Sequence, residues 1–345
     1  FLVLGLLRRR FAPYMSVPLA LVAWGGIRFW ADALQARLSR WPGTAWTAAV
    51  VGFLAVTVPT ADVLPRAFKE GIPAVPEDDL RTMRWLAQQP STPGREGVLA
   101  TWDLGHLVRY HANRPVVVSP FGTDVGARAM QDAATFNLAV DPSAAMELLA
   151  ARRVGFVVLT DPFVNAILDQ RLIGAPPYVV RECSASMGRT FAVGSAYEDL
   201  LAPRLFYLDG LAQPGSRVPP IDRLRLAFEG SGARIKIFQV VAGAELRVEG
   251  ARPLDTVKAT IRLLTNQRRE VMWSTSAAAN EAGEAALRVP YAAGANGAVL
   301  GSPWVVEDGA SAVTADVSES DVVSGGARTV RLGTDEAAAS GARSR

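Results

Sequence analysis

The apolar positions of the chain are distributed in three different ways along its length. Up to about residue 65 they form long runs, and the stretches from Phe11 to Ile27 and from Trp41 to Ala61 contain no charged residue. Between about 76 and 220, short apolar runs alternate with amphipathic segments. After about 220, charged and apolar residues alternate one by one, as in RLRLAFE and RIKIFQVV. The sequence therefore predicts three regions of different architecture.

Both charge-free runs are long enough to be membrane spans. A helix needs about 20 apolar residues to cross the bilayer core, and tilt or snorkelling gives some latitude. The segment between the runs carries Arg28, Arg37 and Arg40, which favours a cytoplasmic position for it. We therefore expect a multi-pass protein of the cell (inner) membrane in which the residues after about 66 are extracytoplasmic. The alternative is two buried helices of a water-soluble core.

The first seven residues, FLVLGLL, are also apolar, and no methionine precedes them. We expect from this that the chain starts inside a membrane helix of a longer protein, and that residues 1–70 are the end of a polytopic membrane domain. The arginine triplet from Arg8 to Arg10 would then lie on the outer side of the membrane. Because positive charges favour the cytoplasmic side, these arginines call for a functional explanation.

Residues 71–241 are predicted to form a mixed α/β core domain. The segment PEDDLRTMRWLAQQP, which begins at Pro76, has acidic residues at its start and apolar residues at helical spacing. The runs GVLATW, RPVVVSPF and VGFVVLTD are typical of buried strands. Asp141 and Pro142 provide an N-cap and a first-turn proline for the helix PSAAMELLAARR. Helices that alternate with apolar strands indicate a layered α/β structure.

Residues 242–315 are predicted to form a small antiparallel β-sandwich or barrel. Period-two alternation recurs in AELRVEG, TVKATIRLL, REVMWSTS and ALRVPYA, with turn residues between them. Residues 316–345 are rich in Ser, Gly, Ala and Glu, and we expect a weakly ordered tail there. The predicted fold class is α+β: membrane helices, then an extracytoplasmic mixed α/β domain, then the β-rich domain.

Composition and charge argue against several classes of function. The net charge of +3 is close to balanced for 345 residues, so nucleic acid is not an expected partner. The single cysteine, Cys183, rules out internal disulfides and cysteine-rich metal sites. Two histidines in the whole chain make a histidine-based metal site a poor hypothesis. We expect no metal ligands in this chain.

The segment TWDLGHLVRYHANRPVVVSPF, residues 101–121, carries the candidate binding residues. An apolar strand ends in Trp102 and Asp103, and Gly105 is predicted to allow a sharp turn through a positive φ. In a binding site, the carboxylate would accept a hydrogen bond from a ligand hydroxyl, and the indole would supply an apolar wall and an N–H donor. In a structural role, Asp103 would cap the turn and Trp102 would lie in the core. The residues alone leave both interpretations open.

This segment resembles the Trp-Trp-Asp-Tyr-Gly motif of the catalytic subunit of oligosaccharyltransferases, particularly the archaeal and bacterial single-subunit forms, which are membrane glycosyltransferases of the GT-C type. Three further stretches are similar to that family in the same order along the chain. They are RRRFAPYMSVPLAL, AAMELLAARRVGFVVLTD and RLRLAFEGSGARIKIFQVVAGAELRVEG. The resemblance covers residues 8 to about 310, which would be the C-terminal portion of such an enzyme.

The resemblance implies roles for three residues. Trp102 and Asp103 match the second Trp and the Asp of the motif, which form a pocket for the hydroxyl of the Ser or Thr two residues after the acceptor Asn. Arg10 matches an arginine that contacts the lipid pyrophosphate, and guanidinium groups bind phosphate oxygens in a bidentate way. This role would explain why arginines lie on the outer side of the membrane.

The sequence also departs from the family pattern. Thr101 stands where the first Trp of the motif belongs, and Leu104 replaces the Tyr. In TDPFVNAILDQRL, Asp161 and Ile167 match the family's second acceptor-reading motif, but the expected Lys is absent. These departures leave strict Asn-x-Ser/Thr specificity open.

The implied function is protein N-glycosylation, in which a glycan moves from a polyprenyl-pyrophosphate carrier to a protein Asn. The implied partners are the membrane, the lipid-linked oligosaccharide donor and the acceptor polypeptide. The family's catalytic carboxylates and the ligands of its divalent metal, Mg or Mn, belong to a membrane half outside this chain. We therefore expect this portion alone to be inactive and to provide acceptor recognition.

Two alternatives to this function stay open. One is a glycosyltransferase that uses a lipid-linked sugar but a non-sequon acceptor, which the residues at positions 101 and 104 favour. The other is a non-enzymatic, membrane-anchored module that binds glycan or peptide.

Overall fold

The chain forms two units in the computed structural model, Phe1–Val75 and Pro76–Arg345. The structure describes eleven helical residues between 25 and 51, and residues 75–119, 123–184, 188–194, 196–212, 215 and 218–333. Of 123–127, 179–184 and 188–192 it describes the backbone only. Arg10 and most of both predicted membrane spans lie outside the described residues. Within the described part, no helix has both the length and the apolar character that a bilayer crossing requires.

The region that begins at Pro76 starts as a layered α/β structure, which the sequence predicts. Its strands are β1 (Gly97–Ala100), β2 (Val154–Leu159), β3 (Val179–Ser184), β4 (Gly188–Val193), β5 (Leu224–Glu229) and β6 (Lys236–Val240). Its helices are α1 (Glu77–Gln88), α2 (Gly105–His111), α3 (Thr123–Asn137), α4 (Pro142–Ala151), α5 (Pro162–Ile173) and α6 (Leu201–Leu208). A four-stranded sheet has the order β1-β2-β6-β5, in which β1 is parallel to β2 and the other pairs are antiparallel. Strands β3 and β4 form a separate antiparallel hairpin.

Two of the helices start at an Asp-Pro pair. Asp141 before α4 and Asp161 before α5 each accept a hydrogen bond from the backbone amide two residues on, at 3.0 Å. Proline suits the first helical position because its missing N–H would have no partner there. The helix start predicted at Asp141 is confirmed. Helix α5 begins in the same way and ends at Gly174, whose left-handed conformation closes the helix.

The segment RPVVVSPF is less regular than its apolar run predicts. Val116 makes a single parallel bridge to Val98 of β1. The Val98 amide donates to the Pro115 carbonyl at 2.8 Å, and the Val117 amide donates to the Val98 carbonyl at 2.9 Å. Pro115 has no N–H with which to extend the ladder. The segment therefore covers the edge of β1 without forming a full strand.

The remainder of the chain is rich in β-structure, as predicted. Its strands are β7 (Ala244–Glu249), β8 (Thr256–Leu264), β9 (Glu270–Ala278), β10 (Ala285–Val289), β11 (Gly294–Asn296), β12 (Val299–Gly301), β13 (Trp304–Glu307), β14 (Ala312–Ala315) and β15 (Ala327–Arg331), with helix α7 (Glu319–Ser324) before the last strand. One sheet has the order β10-β7-β15, and the other has the order β11-β12-β8-β13-β14 with β9 paired to β8. Buried and exposed residues alternate along β7 and β8, which is the pattern of strands with one face in a core.

The prediction of a weakly ordered tail from residue 316 is wrong for residues 319–331. The Ser318 side chain caps α7 through a capping box, and β15 pairs with β7 in parallel. Val322, Val330 and Leu332 are buried. Most residues of this segment are small or polar, but a few apolar side chains among them pack on the sheet. The parallel pairing of β15 also makes this sheet mixed, whereas the sequence analysis expects an antiparallel one.

The α/β part and the β-rich part share a hydrophobic core. Leu99 and Val157 of the four-stranded sheet belong to the same buried cluster as Leu246, Ile261 and Trp273 of the two later sheets. Because apolar burial is the main favourable term in folding, the two parts stabilise each other.

Four charged residues, here called the buried ion cluster, hold the turn between β8 and β9 against the four-stranded sheet. They are Asp209, Glu229, Lys236 and Arg269. The Lys236 Nζ lies 2.7 Å from Asp209, and the Arg269 guanidinium lies 2.6 Å from Asp209 and 3.0 Å from Glu229. The side chains of the first three are at most 5% exposed. Two cations thus balance two buried carboxylates.

The same turn is also bound to β5 through its amides. The Glu229 amide donates to the Asn266 side-chain oxygen at 2.9 Å, and the Asn266 side-chain nitrogen donates to the Glu229 carbonyl at 2.7 Å. Glu229 is therefore held by its backbone and by its carboxylate, and the β8–β9 turn has a single position on the sheet.

We expect Lys236→Met to lower the free energy of unfolding by about 3–5 kcal/mol, because it leaves two buried carboxylates with one cation instead of two. Thermal and urea unfolding followed by circular dichroism at neutral pH would measure the change. Lys258→Met is the matched control, since the Lys258 Nζ lies 4.0 Å from Glu307 and both side chains are about half exposed. The control substitution should lower the free energy of unfolding by only about 0–1 kcal/mol. Equal losses in the two variants would contradict the role of the cluster.

Candidate functional site

The Trp-Asp segment forms a short 3-10 turn that leads from a strand into a helix. Strand β1 ends at Ala100, residues Trp102–Leu104 form the turn, and α2 begins at Gly105. Thr101 and Leu104 are each 6% exposed, whereas Trp102 and Asp103 are exposed to solvent. The turn therefore presents an indole and a carboxylate on successive residues at the surface.

Gly105 does not have the positive φ that the sequence analysis predicts. Its φ is −54°, which is helical. Glycine is needed here because the returning chain passes very close. A Cβ at this position would lie 2.2 Å from the Val118 carbonyl oxygen and 2.7 Å from the Ser119 Cα. The residue thus permits backbone packing of α2 against 118–119, and the change of direction comes from the 3-10 turn.

Neither Trp102 nor Asp103 has the structural role that we considered as an alternative. Trp102 is 36% exposed and so lies outside the core. No side chain caps the 3-10 turn. The Asp103 carboxylate makes no hydrogen bond or ion pair with another residue of the described part. An exposed carboxylate without a protein partner is available to a ligand.

One hydrogen bond joins the turn to helix α5. The Trp102 Nε1–H donates to the Asn165 Oδ1 at 3.1 Å, across 63 residues of sequence. Asn165 is buried, so the nitrogen edge of the indole faces the protein. Because an indole has a single donor, Trp102 offers apolar surface to a ligand and not its N–H.

Helix α5 is held at its N-terminus by α6. The Tyr207 hydroxyl of α6 donates to the Asp161 carboxylate that caps α5. Burial raises the pKa of Tyr207, and the hydrogen bond to Asp161 raises it further. The phenol therefore stays protonated and remains a donor at all physiological pH values.

A small cavity of about 20 Å³ lies between the turn and α5. Its polar walls are Thr101, Asn137, Asn165 and Asp169, and Val118 and Leu168 are among its apolar walls. A polar cavity of this size has room for one water-sized group. The cavity therefore adjoins the indole and has room for one small polar group.

The Asp169 carboxyl is the titratable group of this cavity. It is 7% exposed and accepts a hydrogen bond from the Asn137 side-chain nitrogen at 2.8 Å. Burial raises the pKa of Asp169 to about 6, although the hydrogen bond from Asn137 acts in the opposite direction. The carboxyl is therefore protonated at mildly acidic pH and ionised above neutrality.

The structure places the remaining predicted residues as follows. Asp161 caps α5 and contacts Tyr207. Ile167 packs against a cluster that includes Tyr197 and Leu200, whereas its neighbour Leu168 is the apolar residue of α5 that lines the cavity beside Trp102. Arg10 lies outside the described residues.

Sequence analysis misses Asn165 and Asp169. The signal for them is present, since they stand four residues apart in PFVNAILDQRLI and so share one face of a helix. Both are buried, and buried polar groups require hydrogen-bond partners. What the sequence does not reveal is that this face meets the Trp-Asp turn.

Comparisons with known proteins bear on the fold of the chain and on the resemblance to oligosaccharyltransferases. Residues 243–327 match the model described as the archaeal glycosylation protein B long peripheral domain. The fold is similar to that of an archaeal oligosaccharyltransferase AglB from Archaeoglobus fulgidus, solved in complex with an inhibitory peptide and a dolichol-phosphate. That match has a TM-score of 0.66 and 15% identity, and covers 90% of this chain and 49% of that chain. The resemblance to oligosaccharyltransferases is confirmed.

A second structure, of an oligosaccharyltransferase from Archaeoglobus fulgidus tethered to an acceptor peptide containing the NVT sequon, matches with a TM-score of 0.65 and 14% identity. It covers 89% of this chain and 50% of that chain. The chain thus spans about half the length of the solved oligosaccharyltransferases that it matches. No curated protein sequence matches it. At these identities the structural likeness shows a shared mixed α/β fold.

The oligosaccharyltransferase comparison also bears on the end of the chain. The matched peripheral domain reaches residue 327 and so includes helix α7. Residues 316–327, which the sequence analysis assigns to a tail, therefore belong to the matched region.

We expect Gly105→Ala to destabilise the oligosaccharyltransferase-like fold by about 1–3 kcal/mol, because the added Cβ overlaps backbone atoms that cannot rotate away. Alanine is otherwise the better helix former, by about 1 kcal/mol. The thermal unfolding midpoint would show the loss. Gly333→Ala is the control, since a Cβ at Gly333 has no neighbour within 4 Å. A more stable Gly105→Ala variant would show that the two segments are not packed as described.

We expect Asp169→Asn to remove a pH dependence of stability. The pKa of Asp169 is raised from 3.8 to about 6, so the folded state binds the proton more tightly than the unfolded state. This contribution is present below pH 4 and is lost as the pH rises through about 6. The free energy of unfolding should therefore be about 3 kcal/mol lower at high pH than at low pH through this group. The variant should therefore unfold at a higher temperature than the wild type at pH 8, but not at pH 4. A parallel shift at both values would exclude Asp169 as the titrating group.

Proposed function

We propose that the chain is the acceptor-recognition part of a membrane oligosaccharyltransferase, which transfers a glycan from a polyprenyl-pyrophosphate carrier to a protein Asn. The match of residues 243–327 to a peripheral domain of archaeal glycosylation proteins supports this proposal. The AglB-like fold over most of the chain supports it as well. The related proteins were solved with an inhibitory peptide, a dolichol-phosphate and a sequon-containing acceptor peptide. The proposal assigns the same two kinds of partner, a lipid-linked donor and a peptide acceptor, to this protein.

The observation that carries the proposal is the exposed Trp102–Asp103 turn. The Asp103 carboxylate would accept the hydrogen bond of an acceptor hydroxyl, on the Ser or Thr two residues after Asn. The Trp102 indole would pack beside the acceptor as an apolar wall, because its N–H already donates to Asn165. An acceptor held in this way is bound close to the donor, and binding of the two reactants side by side promotes the transfer.

The donor side of the proposed enzyme involves other residues. Arg10 would bind the pyrophosphate of the lipid carrier through its guanidinium, at the outer surface of the membrane. The catalytic carboxylates and the ligands of a divalent metal, Mg or Mn, would come from a part of the protein outside this chain. Among the described residues, no three His, Cys, Asp or Glu side chains lie close enough together to hold a metal ion. Bound metal would stabilise the charge of the pyrophosphate leaving group.

A second candidate function is glycan transfer to an acceptor without a sequon. The replacements at positions 101 and 104 favour it from the sequence. Both side chains are buried, however, so neither would contact an acceptor on the exposed surface of the turn. The remaining exposed pair, Trp102 and Asp103, favours an acceptor with a hydroxyl group.

The test compares acceptor peptides that carry Asn-Ala-Thr and Asn-Ala-Val, with the full-length protein in native membranes and its lipid-linked donor. The wild type should prefer the Thr peptide. Asp103→Asn should reduce that preference about ten- to a hundredfold, because a hydrogen bond to a charged group contributes about 1.5–3 kcal/mol. Initial rates of glycopeptide formation with the two peptides provide the measurement.

Asp316→Asn is the control, since Asp316 is an exposed carboxylate of the β-rich part. It should leave the preference unchanged. A wild type that uses both peptides equally would favour the non-sequon acceptor. A wild type that binds peptide but transfers no glycan would favour the non-enzymatic binding module.

A further inference from the structure

The Trp102 indole lies on a turn that gives it little support of its own. Within the 3-10 turn, the Leu104 amide donates to the Thr101 carbonyl at 3.0 Å, and the Gly105 amide donates to the Trp102 carbonyl. These bonds fix the backbone but leave the side-chain torsions of Trp102 undetermined. An exposed side chain keeps a single rotamer only when another group holds it, because rotamer freedom favours disorder.

Asn165 is the group that holds the indole. The indole nitrogen can only donate, so the Asn165 amide must present its oxygen to it. This contact fixes the plane of the indole and the orientation of the amide together. Asn165 itself is buried in the first turn of α5. The N-terminus of that helix is held in turn by the Asp161 cap and by Tyr207. The anchor is therefore rigid.

We propose that Asn165 is a positioning residue, whose amide oxygen holds the Trp102 indole in the orientation that forms the wall of the acceptor site. This inference rests on the proposed function of the Trp102–Asp103 turn and adds a residue on which that function depends. Without the amide oxygen, the indole rotates and its N–H turns to water. The apolar wall next to Asp103 is then lost.

The proposal distinguishes acceptor binding from the chemical step. Asn165 is buried behind the indole and does not contact the acceptor. Its loss therefore weakens acceptor binding without altering the reacting groups. The expected result is a higher KM for the acceptor peptide with an unchanged kcat.

The experiment uses the full-length protein in native membranes with the Asn-Ala-Thr peptide. Asn165→Leu, which keeps the size of the side chain but removes the acceptor oxygen, should raise KM about three- to tenfold at unchanged kcat. Asn165→Asp should restore most of the affinity, because a carboxyl offers an acceptor oxygen to the indole N–H in either protonation state. Asn266→Leu is the matched control. It removes an amide from the β8–β9 turn, and it should lower stability without raising KM.

A second readout reports the orientation of the indole whether or not the protein is a glycosyltransferase. The chain contains eight tryptophans, so the emission of Trp102 is obtained as the difference from Trp102→Phe in each background. Acrylamide should quench this emission more strongly in Asn165→Leu than in the wild type or in Asn165→Asp.

The outcomes separate the two proposals. Unchanged quenching in Asn165→Leu would overturn the positioning role of Asn165 even if the wild type prefers the Thr peptide. Increased quenching in a protein whose wild type does not use the peptide would overturn the proposed function, and the positioning role at an acceptor site with it. An equal rise of KM in Asn266→Leu would show that Asn165 acts only by stabilising the fold.

Discussion

The ion pairs among Asp209, Glu229, Lys236 and Arg269 are the constraint on which the arrangement of the region that begins at Pro76 depends. Four charges from α6, β5, β6 and the β8–β9 turn meet where the α/β layer adjoins the β-rich part. Apolar packing is tolerant of small shifts, but a buried carboxylate that loses its cation is costly. The apolar core therefore supplies most of the stabilisation, and the buried ion cluster disfavours any arrangement that separates its charges.

The same cluster lies close in sequence to the elements that hold the candidate site. Asp209 directly follows α6, and Tyr207 in α6 donates to Asp161 at the start of α5. Asn165 then projects from the first turn of α5 to the indole of Trp102. Each step is a hydrogen bond or an ion pair between rigid elements, so the exposed indole is connected to the β-rich part through fixed contacts. This connection explains how a short turn at the surface has a defined geometry.

Local patterns in the sequence predict the elements of this fold well, and long-range contacts account for the errors. The Asp141-Pro142 helix start and the alternating strands depend on neighbouring residues only, and they are found as predicted. The sequence predicts a positive φ for Gly105, but the missing side chain is instead needed because residues 118–119 pass so close to it. Likewise, α7 and β15 are ordered because Val322 and Val330 pack on distant strands. Neither contact is visible in the local sequence.

The sequence alone indicates Trp102 and Asp103 as candidate site residues, because an indole and a carboxylate can each bind a ligand. Asn165 was missed because its role exists only through a partner 63 residues away.

The departures from the oligosaccharyltransferase motif have a consistent explanation in this geometry. Positions 101 and 104 face the interior, where Thr101 shares a hydrogen bond with Thr160. Thr101 is buried and adjoins a small cavity lined by residues of α3 and α5, so a larger side chain at this position would displace its neighbours. A protein with threonine at this position can bring α5 close to the turn, and α5 then supplies an amide to the remaining tryptophan. The burial of Thr101 and the Trp102–Asn165 hydrogen bond are thus two features of one packing arrangement. The position of the Trp-Asp turn therefore depends on its hydrogen bonds to Asn165 of α5 and to Thr160.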